Sequence, residues 1–214
     1  MQGIIEKNQI KYLDDLRTEP DELLKELEEY AKKNLVPIIH WSAAEFLEQT
    51  LMINKPLNVL ELGAAIGYSA IRIARVLEEN AVLDTIEICQ TSVEMATANI
   101  KKAGMDHKVK IYTGNAHNIL PDINKEYDFI FLDADKKDYI NLFKLALTKL
   151  KKGGIIFVDN LLWKGRVAVE DTEKRYKAST ACVKEFNPLF IAEETLNSSI
   201  YPIGDGVGLG IKIK

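Results

Sequence analysis

The chain predicts an α/β fold: a doubly wound, mostly parallel sheet of seven strands, the last antiparallel, preceded by N-terminal helices. Three observations carry that prediction. From residue 58 onward, short apolar runs alternate with segments of helical periodicity. The run IIFV (155–158) is apolar throughout, as a strand covered on both faces is, and YDFIFL (127–132) is apolar but for Asp128 near its start. The stretch NVLELGAAIGYS, Asn58 to Ser69, sets strand, glycine turn and helix in immediate succession, the opening unit of a nucleotide-binding sheet.

Size and composition limit the possibilities. A chain of 214 residues that is 47% hydrophobic can build one substantial core. The expected division is an N-terminal helical segment over 1–56, serving as lid or dimerisation element, and a sheet over 57–214, together forming one compact domain. No apolar run approaches the roughly 20 residues that span a bilayer. The leading MQGIIEKNQIKYLDD has scattered charges and lacks the apolar centre of a signal peptide. A cytoplasmic chain with no membrane partner is therefore expected. Cys89 and Cys182 stand far apart without metal-type spacing and read as reduced, structural thiols. A net charge of −4 gives no global nucleic-acid signature, so such a partner would need a local basic patch.

In order along the chain, Thr18-Glu-Pro-Asp21 has the form of a capping box, with Leu23, Leu24, Leu27, Tyr30 and Ala31 making one apolar face behind it. A second helix is expected over Ser42–Leu51, reached through the apolar link Val36 to Trp41. Strands are then expected at Asn58–Leu62, Leu83–Ile88, Val109–Tyr112, Tyr127–Leu132, Ile155–Val158, Phe190–Leu196 and Val207–Ile213. Helices follow the glycine turn and occupy Ser92–Ala103, Ile140–Leu150 and Thr172–Phe186, with Gly104 as a stop. Gly204-Asp-Gly-Val-Gly-Leu-Gly210 opens no helix, and Val207, Leu209, Ile211 and Ile213 alternate as strand residues do. Its glycines read as close-packing positions, not as a phosphate loop.

Ligands of such sheets lie beyond the carboxyl ends of the strands. The turn there lacks the G-x-G-x-x-G of dinucleotide sites, since Gly63 is followed by Ala64, Ala65 and Ile66 before Gly67. Glu61 also stands where a pyrophosphate would want amide donors. A cofactor with a positive end suits the turn better, such as S-adenosylmethionine (SAM) with its ammonium and sulfonium; a plain βα turn with a surface Glu is the competing reading. Glu87, at the end of the second strand, is placed to hold a ribose diol. Asp133, Asp159 and Asn160 fall at two further strand ends and are hard oxygen ligands of the kind Mg²⁺ takes. Helix capping and a tight turn would account for them equally well, and capping is the preferred reading of Asp135. Lys136 could face the same pocket, where a nearby cation would lower its pKa into the range of a general base. A solvated surface lysine is its alternative. His40, His107 and His117 show neither ligand spacing nor a nucleophile partner.

VLELGAAIGYSA, TIEI, GNAHNILP, YDFIFLDADKKDY, GGIIFVDN and IGDGVGLG, in this order, resemble the cation-dependent SAM O-methyltransferases, which include catechol and caffeoyl-coenzyme-A methyltransferases. The resemblance covers essentially the whole Rossmann-like domain. Its VPI and WKGRV segments are most similar to the bacterial tRNA 5-hydroxyuridine methyltransferases. It implies that Asp133, Asp159 and Asn160 hold Mg²⁺ or another divalent cation, and that Lys136 with Asp133 serves catalysis. It implies that Glu61, Gly63, Gly67 and Ser69 hold the methionine end of SAM, Glu87 its ribose and Ala116 its adenine. Asp133 would also border the cofactor, Ile39 would cover it from the N-terminal side, and relatives suggest a homodimer. Ala65 and His117 depart from residues carried by some relatives.

The reaction expected is attack of an oxyanion on the SAM methyl, methylating the wobble 5-hydroxyuridine of tRNA to 5-methoxyuridine. The alternative is a small catechol-like or caffeoyl-type phenol, because both acceptors offer two neighbouring oxygens. A binding module without catalysis and a dehydrogenase are the readings from other classes. For the tRNA acceptor, Lys164, Arg166, Lys174, Arg175 and Lys177 against Glu170, Asp171 and Glu173 leave +2 in a short span, and Trp163 could stack on a base. A solvated loop of mixed charge is the other account of that span.

Overall fold

The computed structural model of the chain describes residues 7–214, so Met1 to Glu6, the start of the stretch read against a signal peptide, lies outside the described residues. Two compact units are formed, residues 1–36 and 37–214.

The first unit carries helices α1 (Lys7–Leu16) and α2 (Glu22–Asn34). The N-cap of α2 is Asp21, whose carboxylate accepts from the Leu24 amide at 2.9 Å. The capping box expected from Thr18 is therefore displaced by three residues. Pro20 explains this: it restricts Glu19 to extended backbone and so keeps the helix from starting earlier.

In the second unit, α3 (Trp41–Asn54) leads to the sheet. It is tied to the helix after the first strand by Arg72, whose guanidinium donates to both oxygens of Glu48 at 2.7 and 3.0 Å. This pairing places α3 with the sheet. The strands are β1 (Asn58–Leu62), β2 (Val82–Glu87), β3 (Val109–Thr113), β4 (Tyr127–Leu132), β5 (Leu150–Val158), β6 (Leu196–Tyr201) and β7 (Val207–Lys212). Their order is β3-β2-β1-β4-β5-β7-β6, with β7 antiparallel to both neighbours and the other pairs parallel. The helices between them are α4 (Tyr68–Val76), α5 (Gln90–Lys102), α6 (Ala116–Asp122), α7 (Tyr139–Lys149) and α8 (Lys177–Ala192).

The apolar strands sort their side chains between two layers. Ile130, Leu132, Ile156 and Val158 meet Tyr139, Phe143, Phe186 and Phe190 in one cluster. On the other face Phe129 and Phe131 pack about Phe157, which Phe46 of α3 reaches at 5.8 Å between ring centroids. Each fully buried Phe of this kind contributes roughly 2–3 kcal/mol. The same burial corrects one strand assignment. Phe190 belongs to α8, which continues through Pro188 because Val183, Phe186 and Phe190 keep one buried helical face. The sixth strand accordingly begins only at Leu196. The expected close packing of β7 is observed: a Cβ on Gly208 would lie 2.6 Å from Leu161 and 3.0 Å from Phe190.

Gly63 fixes how β1 and β4 end together. It has φ +102°, and a Cβ there would lie 2.0 Å from the Asp133 carbonyl oxygen, which belongs to fixed backbone. Gly63→Ala is therefore expected to cost roughly 3 kcal/mol or more. A urea-unfolding midpoint unchanged from wild type would contradict this packing.

Candidate functional site at the strand ends

The ends of β1, β4 and β5 form a row. Asp133 donates its amide to the Leu62 carbonyl at 3.1 Å, and Asp159 donates its amide to the Leu132 carbonyl at 3.1 Å. Glu61, Asp133 and Asp159 are thus displayed side by side by the sheet, two of them on adjacent loops.

Glu61 is fully buried. Thr85 donates to its Oε2 at 2.6 Å, while its Oε1 has no hydrogen-bond partner. Burial pushes its carboxyl up to about 7, against the pull of the Ser69 and Thr85 hydroxyls. Asp133 and Glu87 add repulsion in the same direction. A buried carboxylate oxygen without a donor is costly, and a cationic ligand is what relieves it. The reading of Glu61 as a surface residue does not survive.

Around it the glycine turn is held in place. Gly63, Ala65 and Gly67 all have positive φ, and Gly67 donates to the Ala64 carbonyl at 2.8 Å. Ser69 lies in the first turn of α4. Glu87 faces the turn, accepting the Ala64 and Ala65 amides at 3.2 and 3.0 Å on Oε2 and the Cys89 amide at 2.8 Å on Oε1. Two carboxylate oxygens offer about four lone-pair sites, so a diol could be accepted without breaking these bonds. Ala116 begins α6, capped by Asn115, and His117 beside it pairs with Asp138 at 2.6 Å. Ile39 is buried just ahead of α3. The start of α3 abuts the turn before β7, since a Cβ on Gly204 would lie 3.0 Å from Ala43 and 3.2 Å from His40.

The second half of the site is acidic. Asp159 is fully buried, and desolvation together with Asp133 pushes its carboxyl up to about 8. Asn160 sits at φ +65° and directs its Nδ2 at Asp159 Oδ2, 3.1 Å away. Lys136 is the cation of this group, not a surface residue. It is 8% exposed and donates to Asp133 Oδ1 at 2.7 Å and to the Ala134 carbonyl at 3.1 Å. Burial disfavours its charge, but Asp133 and Tyr139 outweigh burial and hold the ammonium well above its ordinary range. Lys136 is thus a charged partner of Asp133; the fall of its pKa expected beside a divalent cation concerns the cation-bound site. Asp135 caps the short 3-10 turn Lys136–Asp138 by accepting from the Lys137 amide, as its capping reading anticipated.

Among the described residues, no three His, Cys, Asp or Glu side chains gather into a metal-binding cluster. The Asp133, Asp159 and Asn160 set offers two carboxylates and an amide oxygen. That donor set suits a hard divalent cation which completes its shell with other oxygens. The residues fit such an ion.

Trp163, Lys164 and Arg166 lie on the loop after β5. The Lys136 ammonium is 5.7 Å from the Trp163 ring, which connects loop and acidic group. Arg166 stacks over Tyr176 at 3.9 Å, and Tyr176 meets Trp163 edge-on at 6.4 Å. Two cations of the expected basic rim are matched locally, Arg175 by Glu173 at 2.9 Å and Lys177 by Asp171 at 3.1 Å. Tyr176 and Asp205 were not singled out from the sequence. Tyr176 stood in a charged span, and Asp205 in a glycine-rich turn explained by packing. Two surface grooves, of about 180 and 560 Å³, are lined by other residues.

Comparison with known proteins agrees with this geometry. The O-methyltransferase family profile matches residues 15–213. Caffeoyl-CoA O-methyltransferase of Medicago sativa is 33% identical over 204 residues, covering 90% of this chain and 83% of that protein. The Bacillus cereus O-methyltransferase in complex with SAH superposes with a TM-score of 0.82 at 26% identity, covering 94% of this chain and 96% of that one. The O-methyltransferase TomG of Streptomyces achromogenes, involved in tomaymycin synthesis and solved with SAM, gives 0.82 at 25% identity, covering 95% of each chain.

Proposed function

The chain belongs to the O-methyltransferase family, and from that premise we propose that it transfers the methyl group of SAM to a hydroxyl beside a second oxygen, on a phenolic acceptor of the caffeoyl or catechol type. The observation that carries the reading is the unpartnered, buried Oε1 of Glu61 in the same row of strand ends as Asp133 and Asp159. One half of the row, with its unpartnered carboxylate oxygen, suits a cationic ligand, and the other half suits a divalent cation and an oxygen acceptor.

In this reading Glu61, Gly63, Gly67 and Ser69 receive the methionine end of SAM, Glu87 its ribose and Ala116 its adenine. Ile39 shields the cofactor, and the active form is a homodimer. Asp133, Asp159 and Asn160 would hold the cation, which when bound stabilises the acceptor as an oxyanion and orients it. Lys136 donates to Asp133, fixing that carboxylate against β1. With a cation sharing the charge of Asp133, Lys136 would be less strongly held in its protonated form, and once it had released that proton to solvent its neutral Nζ would take the acceptor proton. Trp163 forms the wall against the acceptor ring.

The named relatives support the phenolic acceptor, which moves tRNA to second place. A specific observation keeps it there: Trp163, Tyr176 and Arg166 form an aromatic and cationic wall of the kind that stacks on an unpaired base. Incubation with methyl-labelled SAM, a catechol and caffeoyl-ester panel and, separately, hydroxyuridine-containing tRNA distinguishes the two. Label on a phenolic oxygen is expected. Label in tRNA with an inert phenol panel would establish the second reading, and no label on any oxygen would reject both.

A further inference from the structure

Residues Asn160–Lys164 adopt a backbone that needs outside support. Asn160, Trp163 and Lys164 have φ of 65°, 48° and 53°, a left-handed region that non-glycine residues enter at a cost. A loop with three such residues in five holds its shape only when neighbouring groups fix it.

The support comes from the turn between β6 and β7. Leu161 donates its amide to the Gly206 carbonyl at 2.9 Å, and Leu162 donates to the Asp205 carbonyl at 2.8 Å. The Asp205 side chain then takes both ends of the loop. Its Oδ1 accepts the Lys164 amide, and its Oδ2 faces the Asn160 amide nitrogen at 3.5 Å. Turn and loop are fitted to each other, since a Cβ on Gly206 would lie 2.5 Å from both the Leu162 amide nitrogen and its Cγ.

We infer that Asp205 is a positioning residue for the acceptor side of the site: its carboxylate grips Asn160 and Lys164 together and so sets where the Asn160 side chain and the Trp163 ring stand. Neither atom of Asp205 needs to touch the acceptor or the cation. Held between Asp159 Oδ2 at 3.1 Å and Asp205 Oδ2 at 3.5 Å, the Asn160 side-chain nitrogen leaves the amide oxygen for the cation, as partners of metal ligands commonly do. This inference rests on the functional reading above in assigning Asn160 to a cation. Its loop-holding part does not.

Two variants separate the parts. Asp205→Ala loses both contacts. Asp205→Asn keeps an oxygen for the Lys164 amide but presents no negative charge to Asn160. Hydrogen exchange at residues 162–164, Mn²⁺ affinity by calorimetry and SAH affinity are read on each. For Asp205→Ala, exchange at Lys164 should quicken about ten-fold or more, and Mn²⁺ should bind about 10–100-fold more weakly. SAH affinity should stay within about two-fold, because Glu61 and Glu87 belong to other strand ends. Asp205→Asn should restore slow exchange without restoring Mn²⁺ affinity. Wild-type exchange in Asp205→Ala, or wild-type Mn²⁺ affinity in both variants, would reduce Asp205 to a residue that closes its own turn. If the wild-type protein itself bound no Mn²⁺, the functional reading would fail, and the exchange rates alone would then decide whether Asp205 holds the loop.

Discussion

Asp159→Ala is expected to lower kcat/KM for methyl transfer about a thousand-fold while leaving the apo protein as stable as wild type or more so. The loss follows from removing an oxygen ligand of a cation that supplies several kcal/mol to the developing oxyanion; about 4 kcal/mol corresponds to three powers of ten. The unchanged stability follows from burial. Asp159 is fully enclosed, and desolvation with repulsion from Asp133 pushes its carboxyl up to about 8. At pH 7 that carboxyl is mostly protonated, and a methyl in its place removes a buried polar group that folding disfavours, which offsets the bond it accepts from the Asn160 amide at 2.7 Å. The Tyr139 hydroxyl bonds the Asp159 backbone carbonyl at 3.0 Å, so it keeps its acceptor in the variant. Activity and a thermal melt, run together, check both halves. A variant that is inactive because its Tm has collapsed would contradict this account of why Asp159 is kept.

Glu61→Gln should weaken SAM binding by about 100-fold, the scale of losing a buried charge-assisted hydrogen bond. It should also change the pH dependence of apo stability in a stated direction. Burial holds the folded-state carboxyl of Glu61 up to about 7, above the ordinary value of about 4.5 that it has in the unfolded chain. Between those pH values the native chain retains a proton that the unfolded chain has released. The contribution of Glu61 to stability is therefore fully present below the unfolded pKa and is lost as pH rises through 7. Glu61→Gln removes that loss, so its Tm advantage over wild type should appear above pH 5 and level off above pH 7. A constant offset between the two melts across this range would show that Glu61 is not the titrating group. A cationic ligand stabilises the ionised carboxylate, so binding at pH 6 to 7 should release protons, which calorimetry in buffers of different ionisation enthalpy detects.

The parts legible in the sequence are those where local pattern and tertiary demand agree. FIFL and IIFV announce buried parallel strands because no polar face is needed; β4 stands where expected, and β5 ends where expected but begins earlier, at Leu150. Glu61 is informative for the opposite reason, as a carboxylate in an apolar run where nothing local explains it. The features missed depend on partners far along the chain. Pro188 argues locally for a helix end, yet Phe186 and Phe190 fill one core and carry α8 past it. Asp205 looks like a turn residue among glycines; its bonds to Asn160 and Lys164 span more than 40 positions. The spacing of Lys136 puts it within reach of Asp133, but its charge state follows from contact with Asp133 and Tyr139 in a buried setting, which spacing does not report.

The central claim is that Asp133, Asp159 and Asn160 serve a cation-assisted transfer from SAM to oxygen. The most direct measurement is label transfer from methyl-labelled SAM to a catechol before chelation, after exhaustive chelation and after Mg²⁺ is returned, with the labelled atom located by mass spectrometry. The account predicts O-linked label, turnover below about 1% of the starting rate in the chelated enzyme, as expected when several kcal/mol of stabilisation are withdrawn, and recovery on adding Mg²⁺. Turnover that chelation leaves untouched would contradict it.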